Sequence, residues 1–131
     1  MEEPDPHEIK ILCVDDDPLI RQMLGDILRL RGYTVLTASD GEAALDVAAK
    51  ERPDLILLDV MMPGLDGFEV CRLLKADAVL KSAPIVILTA MNDATLNARA
   101  VEAGAVLALQ KTADTKTVFG TIETALASRK G

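Results

Sequence analysis

The sequence predicts an α/β protein, a doubly wound five-stranded parallel sheet flanked by five helices. Two observations carry this. Short β-branched apolar runs alternate five times with longer stretches of helical periodicity. Four of the five runs are almost continuously apolar, as expected of parallel strands buried on both faces. At 131 residues the chain has room for one such domain but not for an eight-unit barrel.

The first strand is predicted over Ile9 to Val14. The helix after it runs from Pro18 to Arg31, with Ile20, Met23, Leu24, Ile27 and Leu28 on one stripe. Asp17 caps it with proline in its first turn, and Gly32 ends it. Tyr33 to Ala38 is the least apolar run and is predicted to be the edge strand. Ser39 or Asp40 then caps an alanine-rich helix reaching Glu51. The third strand is Leu55 to Leu58, followed by a helix over Phe68 to Ala76 that places Val70, Leu73 and Leu74 on one face. The fourth is Ile85 to Leu88, followed by a helix capped by Asn92 or Asp93, reaching Ala103 and stopped by Gly104. The fifth is Val106 to Leu109, and the last helix spans about Asp114 to Ser128 with Val118, Ile122, Ala125 and Leu126 in register. The domain is thus expected over residues 9–129, with residues 1–8 a flexible tail.

Composition narrows the function. Aromatics are 2% of the chain, so base stacking is not its mode of binding. The net charge is −7 and no basic stripe occurs, which argues against direct nucleic-acid contact. No segment reads as a signal peptide, and no apolar stretch approaches the ~20 residues that span a bilayer, so no membrane insertion is expected. Cys13 and Cys71 lie in apolar segments without metal-ligand spacing and read as buried reduced thiols of a cytoplasmic protein. His7 stands alone in the polar tail and reads as a surface residue.

In open α/β sheets, ligands bind beyond the carboxyl ends of the strands. The first strand ends in Asp15, Asp16 and Asp17, the third in Asp59, the fourth in Thr89, and the fifth, after Gln110, in Lys111. The fold would gather these distant residues at one sheet edge. Crowded carboxylates repel and need a cation. Oxygen ligands without Cys or His suit Mg²⁺ or Mn²⁺ better than Zn²⁺. A hydroxyl and an ammonium around one carboxylate suit an aspartate nucleophile that accepts a phosphoryl group. Singly, Asp17, Thr89 and Lys111 read as a helix cap, a strand end and a surface lysine. The aspartate triplet and Asp59, set among Leu57, Leu58, Val60 and Met61, resist such readings because a lone buried carboxylate is costly.

The runs Ile11-Leu12-Cys13-Val14-Asp15-Asp16-Asp17-Pro18 and Leu57-Leu58-Asp59-Val60-Met61-Met62-Pro63-Gly64-Leu65-Asp66-Gly67, with Pro84 to Thr89-Ala90 and Lys111, resemble the receiver domains of bacterial two-component response regulators, the chemotaxis regulator type among them. The resemblance covers roughly residues 8–129. It implies a flavodoxin-like sheet of order 2-1-3-4-5 and a regulatory phosphoacceptor domain rather than an enzyme, catalysing only its own phosphorylation and dephosphorylation. Asp59 would take a phosphoryl group from a sensor histidine kinase or a histidine phosphotransfer protein and pass the signal to a downstream protein. Asp15, Asp16, Asp59 and the carbonyl of Met61 would hold Mg²⁺. Thr89 would hydrogen-bond the phosphoryl group, Lys111 would pair with Asp59 and then with the phosphate, and small Ala90 would leave access.

Two positions depart from the family pattern. Thr112 replaces the proline that usually follows the lysine, and Ala108 stands where an aromatic usually swings inward on activation. A phosphorylation-independent binding module or phosphate sink therefore stays open beside the switch. A Mg²⁺-dependent phosphatase is disfavoured, because Met61 stands where those enzymes carry their general acid. Met61 and Met91 flank the expected pocket, either as gap-fillers or as shields of an aspartyl phosphate. No output domain follows the last helix before Gly131, which leaves open a stand-alone regulator and a piece of a longer chain.

Overall fold

Strands and helices alternate without interruption: β1 (Lys10–Val14), α1 (Pro18–Leu30), β2 (Thr34–Ala38), α2 (Gly41–Glu51), β3 (Leu55–Leu58), α3 (Gly67–Ala76), β4 (Ile85–Thr89), α4 (Leu96–Glu102), β5 (Leu107–Gln110) and α5 (Thr115–Ser128). The computed structural model describes residues 9–129. The expected flexible tail, with His7, lies outside the described residues. All strand pairs are parallel and their order is β2-β1-β3-β4-β5, as the sequence predicts.

Strand side chains alternate between the two sheet faces, and each face builds its own core. Leu12, Val14, Ile56, Leu58, Ile85 and Ile87 pack with Ala44, Ala48, Phe68, Val70, Leu74 and Ala100 from the α2, α3 and α4 side. Ile11, Cys13, Leu55, Leu57 and Val86 pack with Leu28, Phe119, Ile122 and Ala125 from α1 and α5. Two covered faces explain the unbroken apolar runs of β1, β3 and β4.

Four helices begin on an aspartate whose carboxylate accepts a backbone N–H of the first turn. These are Asp17 (from Leu19), Asp40 (from Ala43), Asp66 (from Phe68) and Asp114 (from Thr117). α4 differs from expectation. It starts at Leu96, not after Asn92 or Asp93, and its N-cap Thr95 makes no side-chain cap bond. Asp93 instead accepts both the amide and the hydroxyl of Thr95 at 2.8 Å. That local turn competes with helix at this point.

Three further expectations need correction. β5 lies at the edge that the order 2-1-3-4-5 implies, and all its residues are only half-buried, not covered on both faces as its apolar run predicts. α5 covers one of its faces, so apolar composition alone did not separate it from a central strand. Leu73 is 43% exposed, because α3 buries Phe68, Val70, Cys71 and Leu74 instead. Met23 stands half-exposed on α1, where Gly25 and Leu28 are the buried residues.

Both cysteines are free and buried. Burial pushes the Cys13 thiol up to about 12 and the Cys71 thiol up to about 11, so both stay protonated at neutral pH. Ellman's reagent at pH 8 is therefore expected to detect no thiol in the folded protein and both in denaturant. Fast reaction of either thiol in the native state would contradict this packing.

Gly67 opens α3 where a Cβ would lie 2.3 Å from Val60 Cα and 2.9 Å from the Asp59 carbonyl. At Gly120, within α5, a Cβ would meet nothing within 4 Å. Gly67→Ala is expected to lower stability by about 1–3 kcal/mol through overpacking. Gly120→Ala should raise it by about 0.5–1 kcal/mol by reducing unfolded-state freedom. Denaturant titrations of the two variants check the opposite signs.

Candidate functional site

The sheet's own hydrogen bonds carry the polar residues to one edge. The Asp15 amide donates to the Ala38 carbonyl, the Asp59 amide to the Val14 carbonyl and the Lys111 amide to the Thr89 carbonyl. Each is a backbone bond at the carboxyl end of a strand pair. Residues far apart in sequence thereby stand side by side.

The carboxylates of Asp15, Asp16 and Asp59 offer oxygens that all lie within 4.8 Å of one another. Asp15 and Asp59 are buried, each at 3% exposure, and Asp16 is exposed. Lys111 Nζ lies 2.7 Å from Asp15 Oδ2 and 3.0 Å from Asp59 Oδ2. The other oxygen of each buried carboxylate closes a local turn. Asp15 Oδ1 accepts the Asp17 amide and Asp59 Oδ1 accepts the Met61 amide, both at 2.9 Å. Partial burial pulls the Lys111 ammonium down, but hydrogen bonds to Asp15 and Asp59 and their charges outweigh it and hold its pKa raised. One ammonium thus lies between two of the three clustered carboxylates. An all-carboxylate oxygen set of this kind suits a hard divalent cation.

Thr89 ends β4 fully buried, and its Oγ1 accepts the Met91 amide at 3.3 Å. Met61 places its amide on Asp59, while its side chain is 52% exposed and so fills no gap in the core. Met91 is partly buried against the core. Ala108 is half-buried, and its amide donates to Asn97 Oδ1 of α4 at 2.9 Å. Thr112 follows Lys111 in the turn into α5.

Two residues at the site escaped the sequence reading. Arg21 donates from Nη1 to the Asp15 carbonyl at 2.6 Å, and Gln110 donates from Nε2 to the Met91 carbonyl at 3.3 Å. Arg21 stands four residues after the helix cap Asp17, a spacing that returns a side chain to the start of α1 and could have flagged it.

Residues 11–123 match the family described as the response regulator receiver domain. The chain belongs to this family. Receiver domains are the regulatory domains of response regulators. Among relatives, the response regulator MprA of Mycolicibacterium vanbaalenii is 45% identical over 97 residues, which are 74% of this chain and 41% of that protein. The DNA-binding response regulator MtrA of Mycolicibacterium smegmatis is 45% identical over 96 residues, 73% of this chain and 41% of that protein. The chain thus aligns with about two fifths of the length of these relatives. Since one of them is named as DNA-binding, the expectation of no direct nucleic-acid contact is not supported and is withdrawn.

Two solved receiver folds superpose closely. The chemotaxis protein CheY4 of Vibrio cholerae gives a TM-score of 0.83 at 36% identity, over 89% of this chain and 98% of that one. The BeF₃-activated N-terminal receiver domain of Klebsiella pneumoniae RstA gives 0.83 at 32% identity, over 89% and 97%. Among the described residues, no helix is long and apolar enough to cross a membrane.

The receiver site's charge balance predicts opposite effects of neutralising its two signs. Lys111→Met leaves buried carboxylates uncompensated and is expected to cost about 2–4 kcal/mol of stability in metal-free buffer. Asp59→Asn removes repulsion and should leave stability unchanged or raised. Urea titrations in EDTA check both, and a Lys111→Met protein as stable as the parent would refute the assigned role of the ammonium.

Proposed function

We propose that this chain is the phosphoacceptor switch of a His-Asp phosphorelay, acting in the cytoplasm and phosphorylated on Asp59 in a Mg²⁺-dependent reaction. The observation that carries this is the Asp59 carboxylate itself. It is buried, shares one lysine with Asp15, and offers an oxygen within 4.8 Å of those of Asp15 and Asp16.

The donor is a phosphohistidine on a sensor histidine kinase or a histidine phosphotransfer protein. An Asp59 oxygen attacks phosphorus, the P–N bond breaks, and the electron pair leaves with the imidazole. Mg²⁺ would be held by Asp15, Asp16, Asp59 and the Met61 carbonyl, and would supply neutralisation of phosphoryl charge. Lys111 moves its charge from Asp59 to the phosphoryl oxygens, and the Thr89 hydroxyl donates to another of them. Met61 and Met91 flank the acyl phosphate on the solvent side. The phosphorylated state then differs in its affinity for a downstream protein.

Ala108 favours a second reading, in which this face binds its partner whatever the state of Asp59. Comparing partner binding with and without phosphorylation separates the two.

Intact-mass spectrometry after incubation with acetyl phosphate tests the main reading. One phosphoryl adduct is expected, lost on chelation of Mg²⁺ and absent in Asp59→Asn. A folded protein that takes no adduct, or an Asp59→Asn variant that still takes one, defeats it.

A further inference from the structure

Met91 is held at three points. Its amide donates to Thr89 Oγ1 at 3.3 Å, its carbonyl accepts Gln110 Nε2 at 3.3 Å, and its sulfur lies 3.9 Å from Arg99 Nη1. Arg99 is anchored in turn, with its guanidinium 4.3 Å over the ring of buried Phe68. Little else fixes this stretch. Among the described residues, no backbone-to-backbone hydrogen bond involves Ala90, Met91 or Asn92. The link from strand β5 to the Met91 peptide is therefore the Gln110 side chain. Ala108, on the same face of β5 two residues earlier, has no side chain to reach so far.

A hydroxyl carries one proton and two lone pairs. Thr89 is fully buried, so bulk water does not orient it. With one lone pair engaged by the Met91 amide, its proton is left to donate elsewhere. The direction of that proton thus depends on where the Met91 peptide is held. We propose that Gln110 is a positioning residue for Thr89, fixing the Met91 carbonyl and through that residue's backbone its amide, so that the Thr89 hydroxyl faces the phosphoacceptor as a donor. Lys111 and Gln110 are then adjacent residues serving one site in two ways. Lys111 touches the carboxylates, and Gln110 acts through Met91 on the hydroxyl. The assignment rests on the phosphoacceptor reading of Asp59 and deepens it.

A double-mutant cycle tests it on the full chain. The rate of acetyl phosphate-driven adduct formation is measured by intact mass for the parent, Gln110→Met, Thr89→Ala and the double variant. Methionine keeps the length and loses the donor. Half-buried at an edge strand, position 110 tolerates the exchange. Thermal melts confirm that each variant is folded, and Gln110→Glu, acceptor-only at that position, replaces the methionine variant if it is not. Gln110→Met is expected to slow phosphorylation by about twofold to tenfold, the worth of one hydrogen bond. In the Thr89→Ala background it should slow it no further, because a residue acting through Thr89 has nothing left to position. A general structural role would give additive losses. Additive losses, or a Gln110→Met rate equal to the parent's, overturn the proposal. Absence of any adduct on the parent would instead strike the phosphoacceptor reading, so the two failures are distinguishable.

Discussion

The ammonium of Lys111, lodged between the carboxylates of Asp15 and Asp59, is the interaction on which the site depends. Two nearly buried carboxylates with a third beside them are unstable in a low dielectric unless a cation stands within a few ångströms. Lys111 provides one charge, which is enough to let the fold form and too little to neutralise it. That deficit makes the site chemical rather than merely structural. A fully compensated cluster would have no use for a further cation, and an uncompensated one would oppose the burial of β1 and β3.

The sheet makes this compromise possible. Asp15, Asp59 and Lys111 each begin where a strand's ladder ends, with their amides still bonded to the neighbouring strand. Their positions are thus set by backbone hydrogen bonds and by two aliphatic cores on opposite faces, not by the polar contacts themselves. Gly67 shows the same constraint from the other side. Helix α3 starts so close to Val60 and the Asp59 carbonyl that only a hydrogen fits between them. The segment carrying Asp59 is thereby wedged against a helix start as well as against the sheet.

Much of this was legible in the chain. Unbroken apolar runs identify β1, β3 and β4 because both their faces are covered. Asp17 marks the start of α1 and Ser39-Asp40 that of α2 because a carboxylate satisfies amides that nothing else can reach, whereas the caps Asp66 of α3 and Asp114 of α5 emerge from the structure. The strand ends then place the aspartates, Thr89 and Lys111 together. What escaped depends on contacts that periodicity does not encode. β5 reads as apolar throughout yet is only half-buried, because an apolar run does not show how completely its two faces are covered. The start of α4 is moved by Asp93 bonding to Thr95 rather than to a helical turn. Leu73 was placed inward because Leu counts as apolar on any face, while the axis of α3 actually turns Cys71 inward. Gln110 acts on a main-chain carbonyl, which has no sequence signature, and Arg21 is marked only by its spacing from the cap Asp17.

The same contacts divide the site into parts of unequal stiffness. Asp15, Asp59 and Lys111 sit on ladder bonds and closed turns. Beyond Thr89, Ala90, Met91 and Asn92 make no backbone-to-backbone hydrogen bond among the described residues, and after Asp93 to Thr95 comes a helix of 7 residues that lacks a side-chain cap bond. That helix is tied to its surroundings by individual side chains: Asn97 to the Ala108 amide, and Arg99 to Met91 and Phe68. Segments with few backbone bonds open at the lowest free-energy cost. On the proposed phosphoacceptor reading, a charge arriving at Asp59 would meet a floor of ladder bonds and a wall held by single side chains. On that reading, rearrangement would concentrate in this wall, where Thr89 meets Met91 and where Val101 and Val106 stand half-exposed around β5. A sheet that moved with its phosphate would lose its cores. On the proposed reading, the moving part therefore lies in the segment after Thr89, which side chains tie down, and not in the sheet.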